Sequence, residues 1–150
     1  MKVSWRDFES YTNQLLKKIR QDGYTPQVVV GVGISGLVPA ALVMKGLQVQ
    51  HIEIIVISSY NENNKRLPPK VMVNNLSAFL KNKKVLVVDD IVASGKTFSL
   101  VKKKVMKFKP KEVKFAAVVV SEFICKKYPD YWGKSIMRSA HDFISLPWDS

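Results

Sequence analysis

Residues 85–97 read Val-Leu-Val-Val-Asp-Asp-Ile-Val-Ala-Ser-Gly-Lys-Thr. The four apolar residues at the start predict a strand buried on both faces, which is typical of a parallel sheet covered by helices. Asp89 and Asp90 close this strand, and a short turn then leads into a predicted helix. Carboxylates suit ribose hydroxyls or a hard divalent cation, and the amides of a helix N-terminus suit a phosphate group. The stretch therefore predicts a site for a phosphorylated sugar that carries a metal-bound pyrophosphate.

The rest of the chain alternates between strand and helix patterns. Ser4 and Asp7 form a capping-box pattern for a first helix, and Gly46 is predicted to end the second. The buried face of the first helix would hold Trp5, Phe8, Leu15, Leu16 and Ile19. The other predicted elements are strands at 28–30, 52–57 and 113–120 and helices at 37–45 and 97–108. This order predicts an α/β fold with a central, mainly parallel sheet flanked by helices.

Two regions lack such a pattern. Residues 58–73 are polar, and Pro68-Pro69 interrupts regular structure, so a long mobile loop is predicted over about 58–75. The last thirty residues are aromatic and are predicted to be irregular.

Composition narrows the class of protein. The chain has 150 residues, 47% of them hydrophobic, which suits a single domain with its own core. Its formal net charge of +12 fits a lysine-rich surface that also attracts an anionic substrate. Nucleic acid is the weaker explanation, because no aromatic residues alternate with the lysines as a stacking surface for bases requires. The single cysteine excludes an internal disulfide framework, and no apolar run approaches the roughly 20 residues of a membrane span, so we expect a cytoplasmic protein without membrane contact.

Two other nucleotide-binding motifs compete with this interpretation. Ser94-Gly95-Lys96-Thr97 ends like a P-loop, but that motif requires a glycine where this chain has Asp90. Residues 31–36, Gly-Val-Gly-Ile-Ser-Gly, do fit the dinucleotide fingerprint. That fingerprint also requires an acid at the end of the second strand, whereas Glu53 lies near its beginning. The same turn would serve equally well as a cradle for pyrophosphate.

Three isolated residues are predicted to have no chemical role. They are His51, His141 and Cys125.

The chain resembles small microbial purine phosphoribosyltransferases, above all the xanthine-guanine type. The resemblance rests on the 85–97 stretch and Ser58-Ser59-Tyr60, and more loosely on residues 3–5, 36–42 and 147–149. It implies the type I phosphoribosyltransferase fold as one domain over 1–150. In that fold a small irregular base-binding hood would be formed by the N-terminal segment and about 121–150.

The resemblance also implies an activity. Such a glycosyltransferase moves the 5-phosphoribosyl group of phosphoribosyl pyrophosphate (PRPP) to a purine base in purine salvage. The products are a nucleoside monophosphate and pyrophosphate, and the cofactor is Mg²⁺. Self-association as a dimer or tetramer is expected as well.

Each motif receives a role from this resemblance. Asp89 and Asp90 would be catalytic, facing the ribose hydroxyls and, mostly indirectly, the magnesium ion. A mobile loop starting at Ser58, Ser59 and Tyr60 would close over the reacting centre. The 5′-phosphate would be held by Ala93, Ser94, Gly95, Lys96 and Thr97. The pyrophosphate would be lined by Gly33, Ile34, Ser35 and Gly36, with a non-proline cis peptide near Ile34-Ser35. The purine would contact Glu122 and Phe143.

Three positions depart from the family pattern. Ile34 stands where the pyrophosphate loop usually carries a basic residue, and Ala93 stands where enzymes for 6-oxopurines carry an aspartate. Glu122 replaces a lysine that reads the purine 6-oxygen, unless Lys126 or Lys127 takes that role. Alanine and glutamate at these positions favour adenine, whereas the overall similarity favours guanine, hypoxanthine or xanthine. The departures also leave open a non-catalytic regulator that binds PRPP or a nucleotide.

Overall fold

The computed structural model describes residues 1–122, 124–137 and 143–149. Its centre is a six-stranded sheet in the order β3-β2-β1-β4-β5-β6. The strands are β1 (Val28–Gly33), β2 (Ile52–Tyr60), β3 (Arg66–Asn74), β4 (Lys84–Val92), β5 (Glu112–Ser121) and β6 (Tyr131–Ile136). The helices are α1 (Trp5–Gln21), α2 (Leu37–Leu47) and α3 (Lys96–Met106), with a 3₁₀ turn at Ala78–Leu80. All strand pairs are parallel except β2 with β3, which confirms the predicted α/β class.

Helices cover the sheet on both faces. The first face packs under α1 and α2, through residues such as Phe8, Leu15 and Val43. The second face packs under α3 and the 3₁₀ turn, through residues such as Val101 and Leu80. Because β1 and the first half of β4 are buried on both sides, their apolar runs carry no alternation. In the part of the chain that the structure describes, no helix is both long and apolar enough to cross a membrane.

The first helix begins as its sequence predicts. The Ser4 hydroxyl accepts the Asp7 N–H at 3.1 Å, and the Asp7 carboxylate accepts the Ser4 N–H at 3.1 Å. One residue of the predicted buried face is wrong, because Trp5 is 61% exposed. Its ring lies at the outer side of an aromatic cluster, 6.0 Å from Trp148 and 6.4 Å from Phe8 between ring centroids.

The predicted long loop after residue 58 is a β-hairpin. Strand β2 continues to Tyr60, and β3 pairs with it in antiparallel register. The side chain of Asn61 accepts the N–H groups of Asn63 and Lys65, which closes the connection as an Asx turn. Pro68 and Pro69 fit because β3 is an edge strand and they fall where the register shifts, so no ladder hydrogen bond is required of them.

The last thirty residues also contain a strand that the sequence pattern did not predict. Strand β6 pairs in parallel with β5 and lies against α1. Gly133 makes this contact possible, because a Cβ atom there would lie 2.2 Å from the Tyr11 carbonyl oxygen and 2.7 Å from that of Val118. A short edge strand interrupted by glycine gives a weak sequence signal.

A glycine inside α2 accounts for another difference. Gly46 does not end this helix, which continues to Leu47 and is capped by Gln48 in the left-handed conformation. A Cβ on Gly46 would lie 2.7 Å from the Leu16 side chain, so the glycine allows α1 and α2 to pack closely.

We predict that Gly133→Ala lowers the free energy of unfolding by about 1–3 kcal/mol, because two backbone carbonyls occupy the space of the new methyl group. For a chain of this size, the melting temperature falls by roughly 3–10 °C. Thermal unfolding followed by circular dichroism measures the change. Gly46→Ala is the matched control: it meets a side chain that can move, and it gains helix propensity, so its effect is smaller. A Gly133→Ala protein as stable as the wild type would contradict the backbone contact.

Candidate functional site

The carboxyl ends of the parallel strands meet at one edge of the sheet, where ligands bind in open α/β folds. A cleft of about 840 Å³ lies at this edge. Its floor is formed by Asp89 and the residues that follow it to Phe98. Its walls come from Ser35, from residues 59–60 and 66–69 of the hairpin and from the C-terminal segment. The C-terminal segment is held there by pairing with the N-terminus, since Val3 and Ser145 share a backbone hydrogen bond of 2.9 Å.

Two adjacent carboxylates lie at the end of β4. Asp89 is 9% exposed, and its Oδ1 accepts the Asp90 N–H at 2.8 Å. The Asp90 Oδ1 accepts the Ile91 N–H at 2.6 Å. Burial, reinforced by the neighbouring Asp90 charge, raises the pKa of Asp89 well above its ordinary range, and burial also raises the pKa of Asp90. The pair therefore favours a cationic partner within the cleft.

The turn after the carboxylates is suited to a phosphate group. Gly95, at φ +82°, is the N-cap of α3 and makes no side-chain cap, and the only side-chain acceptor found for a first-turn N–H among the described residues is the Ser94 hydroxyl, 3.4 Å from the Lys96 nitrogen. First-turn N–H groups of α3 are thus available to an anion, beside the hydroxyls of Ser94 and Thr97. All five predicted phosphate-binding residues, Ala93, Ser94, Gly95, Lys96 and Thr97, line the cleft.

The glycine-rich turn lies beside the same carboxylates. A cavity of about 300 Å³ is bordered by residues 32–36, the Ser58-Ser59-Tyr60 segment, both aspartates and Thr97. A Cβ on Gly36 would lie 2.8 Å from the Asp89 Oδ1, so glycine is required for this approach. The cis peptide joins Gly33 and Ile34, one bond before the predicted position. Ser35 faces the large cleft, whereas the Ile34 side chain is 77% exposed.

The two residues predicted to contact a base are placed differently. Phe143 lines the cleft and is 69% exposed. Glu122 is exposed and is not among the described residues that line the cleft, since its N–H continues the β5–β6 pairing by donating to the Ile136 carbonyl. Ile124 lies at the cleft instead, and Lys126 and Lys127 border a separate pocket on the side of the phosphate-binding turn.

Two charged residues of the cleft were missed. Arg66, on β3, is paired in register with Tyr60, and both line the cleft. Asp149 also lines it, and its carboxylate accepts the Leu146 N–H at 2.7 Å. No sequence signal pointed to Arg66, because this cation is returned to the Ser58-Ser59-Tyr60 segment by a hairpin that the sequence analysis did not predict.

The acid that a dinucleotide site would require is engaged elsewhere. Glu53 is 6% exposed, and its carboxylate accepts the N–H and hydroxyl of Ser77 at 2.6 and 2.8 Å. It also lies 3.0 Å from His51, which stacks on Phe79. These contacts fix the start of β2, far from the strand end where a ribose would bind, so they count against the dinucleotide hypothesis.

The other residues predicted to lack a chemical role are partly described. Cys125 is buried, and burial raises the pKa of its thiol. His141 lies outside the described residues.

The carboxylate pair fits a magnesium ion that is shared with a substrate. Within the described ranges, no three His, Cys, Asp or Glu side chains converge as a metal cage. Two carboxylates at the end of a strand supply the hard oxygen ligands that Mg²⁺ prefers when phosphates and water complete its shell.

The fold and the site together define an α/β protein with a pair of carboxylates and a phosphate-compatible turn at the carboxyl edge of its sheet. Sequence comparison gives the family: the sequence model of the phosphoribosyl transferase domain matches residues 4–150. The chain belongs to this family.

Individual relatives agree with this assignment. The chain is 27% identical to a xanthine-guanine phosphoribosyltransferase of Idiomarina loihiensis, over 98% of this chain and 85% of the relative. It is 31% identical to that of Cereibacter sphaeroides over 105 residues, which cover 67% of this chain and 62% of the relative. The crystal structure of a purine phosphoribosyltransferase from Pyrococcus horikoshii superimposes with a TM-score of 0.82 at 27% identity, covering 100% of this chain and 94% of that one.

We predict that Asp89→Asn raises the melting temperature of the ligand-free protein at pH 7 by several degrees. The pKa of Asp89 in the folded protein is raised above its ordinary value of 3.8. Protonation of Asp89 therefore stabilises the fold fully below pH 3.8, and this stabilisation is lost as the pH rises through the pKa of the folded protein. Asparagine retains the oxygen that accepts the Asp90 N–H and removes the titration. Melting curves from pH 3.5 to 7 should show the difference from wild type shrinking as the pH falls. Glu62→Gln, on the exposed hairpin turn, is the control. A variant that is less stable than wild type at pH 7 would contradict a penalty for the buried charge.

Proposed function

We propose that this chain is a purine phosphoribosyltransferase that joins a purine base to the 5-phosphoribosyl group of PRPP and releases pyrophosphate. One observation carries the proposal. The carboxylates of buried Asp89 and half-buried Asp90 lie between a glycine-capped helix N-terminus and a glycine-rich turn, and both residues border two cavities that also share Thr97. The named relatives support the same activity.

The reaction breaks the bond between the ribose C1 and a pyrophosphate oxygen and forms a bond from C1 to a purine nitrogen, which loses its proton. Positive charge builds on the sugar and negative charge on the leaving group. In this proposal Asp89 and Asp90 favour the first charge, and backbone N–H groups of the glycine-rich turn, which borders the same cavity as the two aspartates, favour the second. Bound Mg²⁺ would add Lewis-acid stabilisation of the departing pyrophosphate. The turn at residues 93–97 holds the 5′-phosphate and so fixes the sugar for in-line transfer.

Arg66 supplies the positive charge for pyrophosphate that the apolar side chain of Ile34 cannot provide. Its side chain lines the cleft from the hairpin, together with Tyr60 and Ser35, and it makes no ion pair within the described part of the chain. A guanidinium binds phosphate oxygens in a bidentate manner. The hairpin thereby replaces a charge that other members carry on the pyrophosphate turn.

The base is a 6-oxopurine: guanine, hypoxanthine or xanthine. The argument for adenine depended on Ala93 and Glu122. Ala93 lines the cleft, but exposed Glu122 is not among the described residues that do, so the second half of that argument loses its support. Phe143 offers an aromatic face for any purine, and the two curated relatives carry xanthine-guanine names. Ala93 has no proton acceptor, so the proton of the base leaves to water or to a neighbouring carboxylate.

We also propose that the enzyme acts in purine salvage in the cytoplasm, that it requires magnesium and that it self-associates. The base-binding hood and the closure of the hairpin over the cleft stay predictions too.

A direct assay tests the activity. Purified protein is incubated with PRPP, Mg²⁺ and radiolabelled guanine, hypoxanthine, xanthine or adenine, and the nucleoside monophosphate is separated and counted. We expect turnover of at least one 6-oxopurine and little or none of adenine. If no base is converted while PRPP still raises the melting temperature, the chain is a regulator that binds this ligand.

Asp90→Asn should lower kcat at least about tenfold, because a charge that stabilises the cationic transition state is removed. Asparagine is close in shape, so the melting temperature should change little. Steady-state kinetics with the preferred base provide the measurement. Kinetics like those of the wild type would remove Asp90 from the catalytic role.

Arg66→Gln should raise the Michaelis constant for PRPP by roughly tenfold, since one charge-assisted phosphate contact is lost. The constant for the purine base should stay within about twofold of wild type, because no base contact changes. Lys65→Gln is the matched control: it removes an equal charge from the next residue, which does not line the cleft. Equal effects of the two substitutions would reduce the role of Arg66 to general electrostatics.

A further inference from the structure

A second, basic pocket adjoins the phosphate-binding turn. It has a volume of about 320 Å³ and contains four lysines, Lys96, Lys103, Lys126 and Lys127. No acidic side chain lines it, and none of these lysines forms an ion pair within residues 1–122, 124–137 and 143–149. The pocket therefore concentrates positive charge that no described acidic side chain neutralises.

The pocket and the cleft are contiguous. Ser94, Gly95, Lys96 and Pro69 line both of them. A Cβ on Gly95 would lie 3.5 Å from the Lys127 carbonyl oxygen, so the backbone that carries Lys126 and Lys127 lies directly against the turn. That backbone is anchored at buried Cys125, whose N–H donates to the Ser121 carbonyl at 3.0 Å. The lysines thus start from a fixed position beside the predicted site of the 5′-phosphate.

We propose that this lysine pocket binds the additional phosphates of a nucleoside 5′-diphosphate or 5′-triphosphate whose first phosphate occupies the turn at residues 93–97. This inference rests on the proposed function, because the nucleoside and its first phosphate use the product site. A monophosphate ends at the turn and gains nothing from Lys103 or Lys127. A longer phosphate chain passes Ser94 and Lys96 and enters the field of the four lysines. Nucleotides with more phosphates consequently compete with PRPP, which makes the enzyme sensitive to the pool of purine nucleotides.

Calorimetric titrations of the full chain with guanosine 5′-mono-, di- and triphosphate in EDTA at low salt test the proposal. Exposed lysine–phosphate pairs are individually weak, so we expect the di- and triphosphate to bind roughly five- to tenfold more tightly than the monophosphate. Added salt should reduce this advantage, and PRPP should displace all three nucleotides.

The double variant Lys103→Gln/Lys127→Gln should reduce the advantage to less than about twofold and leave monophosphate affinity and turnover unchanged. Lys102→Gln/Lys107→Gln is the matched control, since it removes the same charge from exposed positions of the same helical segment that do not line the pocket. The control should keep the full advantage.

The outcomes separate the two proposals. If guanosine monophosphate does not bind, the proposed product site fails. If it binds but the longer nucleotides bind no more tightly, the role of the lysine pocket is overturned. The same follows if the advantage survives in the Lys103/Lys127 variant, or if PRPP does not displace the triphosphate.

Discussion

The burial of Asp89 at the end of β4 is the constraint on which the rest of the site depends. A carboxylate that is 9% exposed and adjoins a second carboxylate is unfavourable unless hydrogen bonds and a cation compensate for it. The Asp90 N–H supplies one hydrogen bond, and Gly36 leaves room for the carboxylate to approach the neighbouring turn. The remaining compensation comes from protonation, which the raised pKa of Asp89 favours, or from a bound cation. Under the proposed function, this strand end would face the developing positive charge of the sugar.

Parallel pairing brings the other parts of the site to this carboxylate. Strands β1 and β4 are neighbours and point the same way, so the turns that follow them share one edge of the sheet. The hairpin reaches the same edge because β2 is parallel to β1 and its antiparallel partner returns Arg66 to Tyr60. The C-terminal wall is tied to the N-terminus by Val3 and Ser145. Four segments that are distant in sequence thus border one cleft, although only the 85–97 stretch carries a strong local signal.

The parts that sequence predicted correctly are those in which local pattern and tertiary structure agree. The apolar run of β4, the capping box of α1 and the turn before α3 each follow from neighbouring residues. The hairpin at 58–74 could not be predicted from neighbouring residues. Pro68 and Pro69 are compatible with a strand only at a sheet edge and at a register shift, and both are properties of the whole sheet. Gly46 was predicted to end a helix and the role of Gly133 was not predicted. In both cases the glycine allows close contact with a residue that is distant in sequence. Glu122 was predicted from its position after β5, but β5–β6 pairing continues through its N–H and leaves its side chain outside the cleft.

The distribution of charge bears on the proposed pyrophosphate-binding role of the glycine-rich turn, in which this chain has Ile34. A net charge of +12 raises the local concentration of a highly anionic substrate, whichever residue makes the final contact. The acidic pair at the centre of the cleft would repel the same substrate, so the cations have to lie around it, near the phosphates. Arg66 on the hairpin and the four lysines beside α3 occupy such peripheral positions. In the proposed binding mode, this arrangement would place negative charge next to the ribose and positive charge next to its phosphates, which is the polarity that the transition state requires.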